Sequence, residues 1–373
     1  MINVGFAFNF NVQRCEVEVG DEKQILDRGY HQLLDLFIKH GLKANLFISG
    51  FTTKLFEEMD PSLITLIRER VGREFRLGTY TYTHPIPQLL TSQEFERQMA
   101  KGLEIDRELL DAQTKGFLPP EFAFTAEMGN ILHQQGVKWI IALSSQIKKG
   151  LDNIQVDQDP YIPCRTDLGQ GRSLIAVPAM YQLPDTPARF FKLMMKGKLE
   201  VDTVIEGIRK FHALHPDTLL LFKRDAETIF IDYLNSGFEK TYEVMDEFLT
   251  KLKALDFVNP VWIEDVLDQQ SEFTTITLPD YLGNTTLETF TEGDAAPIWN
   301  TTRHVREMIM KAQQEGKDQD LIEQAWEHLM LSHNSDGRIG YWFSEWNPGE
   351  HTVAPSRRRF VEEHLQSALE LLE

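Results

Sequence analysis

The chain has 373 residues, of which 42% are hydrophobic and 10% aromatic, and this is enough apolar material for one large domain and a smaller one. Its 38 Lys and Arg against 57 Asp and Glu give a formal net charge of −19, which argues against a nucleic-acid partner because phosphate binding needs a concentrated basic surface. Cys15 and Cys164 are too few and too far apart for a disulfide scaffold or a zinc site, so a reducing compartment is expected.

The first residues, MINVGFAFNFNVQ, carry neither a basic region nor a small-residue cleavage site. No segment approaches the ~20 apolar residues of a membrane span. We therefore expect a cytoplasmic protein without a membrane partner, while its oligomeric state stays open.

Strand and helix patterns alternate through the first 263 residues. Alternation of this kind predicts a parallel sheet, and about seven such units close into a barrel more readily than they form an open sheet. A hairpin insertion is predicted near 159–183, around the turn-prone DLGQG. The predicted strands are 2–8, 44–49, 75–81, 115–118, 137–143, 218–222 and one near 257–263; the predicted helices are 24–40, 61–71, 91–111, 125–135, 201–214 and 239–254.

These patterns divide the chain into three parts. We predict a barrel over 1–267, a linker rich in Thr, Gly, Asp and Pro over 268–297, and a helical subdomain over 298–373 that is interrupted at 332–355. The interruption contains Asp336, Trp342 and Trp346, and such a loop is either pinned by its own tryptophans or a platform for a ligand.

Two carboxylates stand where predicted barrel strands end. Asp225, followed by Glu227, comes just after the apolar run LLLF, and the carboxyl ends of strands are where α/β proteins bind ligands. Glu121 lies among aromatic residues in GFLPPEFAF, where two prolines fix the backbone in extended form directly before it and hold its carboxylate at the mouth of a strand. The simpler alternatives are a solvated loop for Asp225 and a helix N-terminal Glu for Glu121. Two convergent carboxylates near aromatic residues would suit glycoside chemistry.

Five segments resemble the motifs of glycoside hydrolase family 57 in order and spacing: GLKANLFISGF (41–51), RLGTYTYTHPIPQLL (76–90), GFLPPEFAFTAEMGNILHQQGVKWIIA (116–142), LLLFKRDAET (219–228) and HNSDGRIGYW (333–342). The resemblance implies an incomplete (β/α)7 barrel followed by a helical bundle that closes over the site. It also implies action on α-glucans as an amylase, a 4-α-glucanotransferase or a branching enzyme, with Glu121 as the nucleophile and Asp225 as the acid/base. Asp336, Trp342 and Trp346 would bind sugar rings.

The first motif departs from the family pattern, in which a strand ends in His-x-His-Gln-Pro. This chain has Asn9 and Asn11 at the histidine positions. Because asparagine is a poor transition-metal ligand but can bind sugar hydroxyls, we expect no metal and no cofactor. In the second motif His84 stands at a usual carboxylate position. The remaining candidates for substrate binding are Tyr82, Phe122 and Glu227.

The leading hypothesis is a retaining α-glycosidase or α-glucan transglycosidase acting on a carbohydrate substrate. For it to hold, Lys223 and Arg224 are expected to point away from the cleft, because nearby positive charge would oppose service of Asp225 as an acid. The rival is a non-catalytic carbohydrate-binding protein that has lost its first motif. A carbohydrate deacetylase is a weaker third alternative, which metal content would identify.

Overall fold

The computed structural model of the chain describes residues 1–14, 20–180, 182–227, 239–282, 286–338 and 355–373. These parts contain ten strands in one sheet. The strands are β1 (Ile2–Phe10), β2 (Ala44–Ile48), β3 (Phe75–Thr79), β4 (Gly116–Phe117), β5 (Trp139–Leu143), β6 (Cys164–Asp167), β7 (Ser173–Ala179), β8 (Leu219–Asp225), β9 (Val258–Pro260) and β10 (Thr275–Ile276).

Helices connect the parallel strands and then form the C-terminal part of the chain. They are α1 (Glu22–Gln24), α2 (His31–His40), α3 (Gly50–Met59), α4 (Pro61–Arg70), α5 (Ser92–Leu110), α6 (Ala126–Gln134), α7 (Ser144–Asn153), α8 (Phe190–Met195), α9 (Val201–Leu214), α10 (Glu239–Lys253), α11 (Ile263–Gln269), α12 (Glu288–Thr291), α13 (Ala296–Glu315), α14 (Gln319–Ser332) and α15 (Pro355–Leu372). In the described residues, no helix has the length and apolar character that a membrane crossing requires.

The sheet is curled into an incomplete barrel, as the sequence predicts. Its strand order is β10-β6-β7-β5-β4-β3-β2-β1-β8, with β9 also pairing with β1. All pairs are parallel except β6 with β7, which form an antiparallel hairpin. The two sides of the barrel meet again at a single bridge, where the backbone N–H of Met180 donates to the carbonyl of Leu221 over 3.2 Å.

Strand β1 shows why these apolar runs form a barrel. Successive side chains of a strand point to opposite faces, and here both faces are buried. Phe6 packs outward against Phe37 of α2 at 4.9 Å between ring centroids. Ala7 points inward, into the apolar interior that also contains Phe47 and Trp139. A run that is apolar at every position therefore fits a strand with helices on one side and the barrel core on the other.

The C-terminal helices pack on each other and on the barrel. Helices α13, α14 and α15 share an apolar cluster of their own, with Trp326 at its centre. They are joined to the barrel through buried polar groups: the guanidinium of Arg306 lies 2.7 Å from the carboxylate of Glu94, and the Thr83 hydroxyl donates to the carbonyl of Met330 over 2.7 Å. This joint places the turn after α14 over the carboxyl ends of the barrel strands.

Candidate active site

Two neighbouring strands bring Asn9 and Asp225 side by side. In the register of β1 with β8, the two residues face each other at the carboxyl ends of both strands. The Asn9 amide donates to the Tyr80 hydroxyl over 3.4 Å and also bonds the Asp225 carboxylate. The predicted strand at 218–222 is therefore longer than expected, and its extension carries Lys223 and Arg224 in extended backbone up to Asp225.

Glu121 lies on a short helical turn, Pro120–Phe122, between β4 and α6. Its φ of 53° and ψ of 22° fall in the left-handed region, as does the φ of 54° at Phe122. Non-glycine residues pay a conformational cost there, and such strain is concentrated at functional sites. The N-cap of α6 is Thr125, which accepts the N–H of Met128, so Glu121 is not the capping residue of that helix.

The Glu121 carboxyl is close enough to the other charged groups to be influenced by them. Burial raises its pKa, His84 when protonated and the ammonium of Lys223 lower it, and the carboxylates of Asp225 and Asp336 raise it, with a net increase. The ends of β4 and β8 thus deliver two carboxyl groups to one electrostatic environment. Their convergence is what the retaining mechanism requires of the protein.

The expected orientation of Lys223 and Arg224 is wrong. The Lys223 ammonium lies 2.8 Å from Oδ1 of Asp225 and 5.2 Å from the centre of the Phe122 ring, while the Arg224 guanidinium is 3.9 Å from the other Asp225 oxygen. Burial raises the pKa of Asp225, but the two cations together lower it by more than burial raises it, so the pKa is well below the ordinary value. The physical reason is strand geometry: Lys223 and Asp225 are two residues apart on β8 and share a face.

Glu227 is almost fully buried and is held by the protein itself. One of its oxygens accepts the backbone N–H of Asn11 and the hydroxyl of Tyr30, each over 3.0 Å. Burial and the charge of Asp225 raise its pKa. These bonds fix the chain at the end of β1, so we expect Glu227 to shape the site rather than to move a proton.

The helical part of the chain contributes Asp336, which lies on the turn Ser335–Gly337 after α14. Its carboxylate accepts the side-chain N–H of Asn11 over 2.9 Å and is 3.4 Å from Nδ1 of His84. Burial lowers the pKa of His84, but Asp336, Glu121 and Asp225 raise it, with a net increase. Trp342 and Trp346 lie outside the described residues.

Tyr82 was predicted to bind sugar, but its side chain points toward helix α14. Its hydroxyl donates to Glu327 of α14, and its ring packs against Met330 and Leu331. Burial and the Glu327 carboxylate raise its pKa. It therefore lies in the joint between barrel and helices.

The sequence did not single out several residues that line or support the site: Tyr30, Tyr80, Gln13, Asn334 and Ser335. One signal was available, since Asn9, Asn11 and Gln13 alternate with apolar residues and so share a face near the end of β1. Asn334, which donates to Gln13, belongs to the far end of the chain, and no local pattern could connect the two residues.

The fold agrees with comparisons to known proteins. The family model of glycosyl hydrolase family 57 matches residues 12–281, more than half of the chain. The chain belongs to glycosyl hydrolase family 57. The solved structures that the chain resembles include a 4-α-glucanotransferase from Thermococcus litoralis (TM-score 0.74, 14% identity), which covers all of this chain while the chain spans 60% of its length.

Two further solved structures match the chain over nearly its whole length. The α-amylase AmyC from Thermotoga maritima has a TM-score of 0.69 at 11% identity, covering 99% of this chain and 92% of its own. A family 57 branching enzyme from Pyrococcus horikoshii has a TM-score of 0.70 at 13% identity, and the match covers 97% of this chain and 88% of that enzyme. At these identities the likeness shows the fold alone.

One curated relative belongs to a different class of enzyme. A peptidoglycan deacetylase from Helicobacter pylori is 26% identical over 111 residues, which cover 30% of this chain and 36% of that protein. The match is too short to show a family for the whole chain.

Proposed function

We propose that this family 57 protein is a retaining α-glycosidase or α-glucan transglycosidase. The observation that carries the proposal is the convergence of Glu121 and Asp225 after β4 and at the end of β8, where the charge of Asp225 raises the pKa of Glu121. The family membership and the α-glucan enzymes with the same fold support the choice of sugar chemistry.

In the first step the Glu121 carboxylate attacks the anomeric carbon. A glycosyl ester forms, the bond to the leaving oxygen breaks, and that oxygen takes a proton from Asp225. In the second step the Asp225 carboxylate removes a proton from water or from an acceptor sugar, whose oxygen displaces Glu121. Asp336 from the helical part would bind a hydroxyl of the sugar, and no cofactor takes part.

The electrostatics favour the two steps unequally. Lys223 and Arg224 stabilise the ionised form of Asp225, which is the form that acts as the base. The first step needs Asp225 protonated and Glu121 ionised, although the pKa of Asp225 is lowered and that of Glu121 is raised, so its rate should be highest at an intermediate pH. This makes glycosylation of the enzyme the step most sensitive to pH.

The test is a screen of the purified protein against aryl α-glycosides and malto-oligosaccharides, with two matched variants. Glu121→Gln should lose several orders of magnitude in rate on every substrate that is cleaved. Glu127→Gln changes an exposed glutamate of the adjacent helix α6 and should keep wild-type activity. Full activity in Glu121→Gln would end the proposal.

A second candidate, a non-catalytic carbohydrate-binding protein, is favoured by one observation. Asn9 and Asn11 occupy the positions where the family pattern has histidines. The side-chain N–H groups of Asn11 donate to Asp336 and His84. Calorimetric binding of malto-oligosaccharide without turnover of any substrate in the panel would select this candidate.

A further inference from the structure

Four buried side chains form a closed ring of hydrogen bonds between the end of β1 and the turn after α14. The backbone N–H of Asp336 donates to Oδ1 of Asn334 over 3.0 Å, and Nδ2 of Asn334 donates to Oε1 of Gln13 over 2.6 Å. Nε2 of Gln13 donates to Oδ1 of Asn11, and Nδ2 of Asn11 donates to the Asp336 carboxylate over 2.9 Å. All four residues are at most 4% exposed.

The direction of every amide in this ring is fixed by its two ends. A backbone N–H can only donate, so Asn334 must present its oxygen to Asp336 and its NH2 to Gln13. Gln13 must then accept with its oxygen and donate with its nitrogen to Asn11. The Asn11 NH2 consequently faces the Asp336 carboxylate, which can only accept when ionised.

This polarity extends to His84. Nδ2 of Asn11 lies 3.0 Å from Nδ1 of His84, and the Ser335 hydroxyl lies 3.1 Å from the same nitrogen. The Asp336 carboxylate is also 3.4 Å from Nδ1, but the Asn11 NH2 is nearer and can only donate, so we assign Nδ1 as its acceptor and place the proton of the neutral imidazole on Nε2. The ring plane is set by Tyr80, whose ring stacks on the imidazole at 4.9 Å.

Nε2 of His84 has no hydrogen-bond partner among the described residues, although the side chain is only 5% exposed. Oδ1 of Asn9 is a buried acceptor that likewise has no hydrogen-bond partner among the described residues, while the NH2 of Asn9 contacts the Tyr80 hydroxyl. Unmade hydrogen bonds of buried groups are costly, and their presence beside two carboxyl groups indicates a place for a ligand. A sugar hydroxyl can both accept and donate, and so can satisfy groups of either kind.

We propose that the amide ring holds His84 as the neutral Nε2–H tautomer and that this N–H binds a hydroxyl of the sugar substrate, with Gln13 and Asn334 as positioning residues. The identity of the ligand rests on the proposed function, whereas the tautomer does not. The carboxylates of Asp336, Glu121 and Asp225 raise the pKa of His84. Protonation at Nδ1 would nevertheless put two donors face to face at 3.0 Å, so the cation requires the ring to open.

Nitrogen NMR of the full chain labelled with 15N-histidine tests the tautomer directly, with a His84→Gln variant to assign the signal. At pH 7.5 the wild type should show His84 neutral and protonated on Nε2. In Gln13→Glu the new carboxylate can only accept, so it competes with Asp336 for the Asn11 NH2 and should move the His84 proton to Nδ1, from which it can donate to Asp336. Gln98→Glu is the control, since Gln98 is an equally buried glutamine that bonds Thr83 and Met330 outside the ring.

Asn334→Asp tests the same ring from its other end and replaces Gln13→Glu if that variant does not fold. A wild-type His84 that is protonated on Nδ1, or charged at pH 7.5, would overturn the proposal, as would an unchanged tautomer in both ring variants. These spectra test the tautomer whether or not the protein cleaves any glycoside.

Kinetics test the purpose of the tautomer. Gln13→Leu should lower kcat/KM about tenfold, the effect of one neutral hydrogen bond to the substrate. The same substitution in a His84→Gln background should cause no further loss, because the two residues act through one N–H. Multiplicative losses would refute the positioning role of Gln13. An inactive wild type would instead refute the proposed function and leave the NMR result standing.

Discussion

The Lys223 ammonium and the Asp225 carboxylate form an ion pair of 2.8 Å on one face of β8, and both side chains are mostly buried. Burial alone would raise the pKa of Asp225, but Lys223 together with Arg224 lowers it below its ordinary value. An acid/base residue with such a pKa is ionised in the free protein at neutral pH. The pair therefore favours the base step and opposes the acid step of the same residue.

Replacing Lys223 should change the pH profile in a defined direction. In a retaining enzyme kcat/KM falls as the pH rises past the pKa of the acid in the free enzyme. Lys223→Met removes the nearest positive charge, so the pKa of Asp225 rises and the alkaline limb of the profile moves to higher pH. Lys223→Arg keeps the charge and should keep the limb in place. The measurement is kcat/KM on a malto-oligosaccharide across pH, and an unmoved limb in Lys223→Met would separate Lys223 from the control of Asp225.

Removal of the Asp225 carboxylate should change the rates differently from removal of the Glu121 carboxylate. Asp225→Ala takes away the proton donor, which matters most for a poor leaving group such as another sugar and least for a nitrophenyl group. The variant should retain more activity on the aryl glycoside than on an oligosaccharide. Added azide should rescue it further, because a small anion can attack the glycosyl ester without a base.

Steady-state rates on both substrate classes, with and without azide, check this prediction for Asp225. The matched variant is Asp167→Ala, which removes an exposed aspartate at the end of β6 and should affect neither substrate. Equal loss on both substrates in Asp225→Ala without azide rescue would remove Asp225 from the acid/base role.

Much of this fold could be predicted because both faces of its strands are buried. The mostly apolar strand β1, the apolar strand β5 and the apolar first half of β8 fit such strands, and two prolines mark the position of Glu121. Helix α3 was missed since its first turn contains Gly50, Thr52 and Thr53, which have low helix propensity. Its N-cap, Ser49, was the available signal.

The chemistry of the site was harder to predict than its location. Ending the strand at Phe222 hid the alternation that puts Lys223 beside Asp225. The amide ring joins Gln13 to Asn334 across 321 positions, so only the folded chain reveals it. Both features are side-chain contacts that depend on distant parts of the chain or on the last residues of an element.

The replacement of the first-motif histidines predicts activity without a metal. Asn11 uses its NH2 on Asp336 and His84, and asparagine is a poor ligand for transition metals. Glycoside cleavage should therefore survive dialysis against EDTA, while a zinc-dependent hydrolase treated in parallel loses its activity. Stoichiometric zinc in the purified protein, with activity lost on its removal, would move the assignment toward the metal-dependent deacetylases.

A buried carboxyl group far from this chemistry should control stability at alkaline pH. Asp106 of α5 is 2% exposed, and burial raises its pKa to about 8, although hydrogen bonds from Thr79 and Thr114 lower it. The unfolded chain ionises this group near its ordinary value of ~3.9, so the folded state holds a proton that the unfolded state has released between these two values. Its contribution to stability is complete below about pH 4 and is lost as the pH rises through about 8.

Asp106→Asn removes this titration, and its effect should therefore grow with pH. Denaturant unfolding of the wild type and the variant should show a larger gain in unfolding free energy for the variant at pH 8 than at pH 5. The expected difference is about 1–3 kcal/mol, less than the full shift implies because the buried site can relax. Asp111→Asn changes an exposed carboxylate at the end of the same helix and should leave the wild-type pH dependence unchanged. If the gain in Asp106→Asn were the same at both pH values, Asp106 would not be held neutral in the fold.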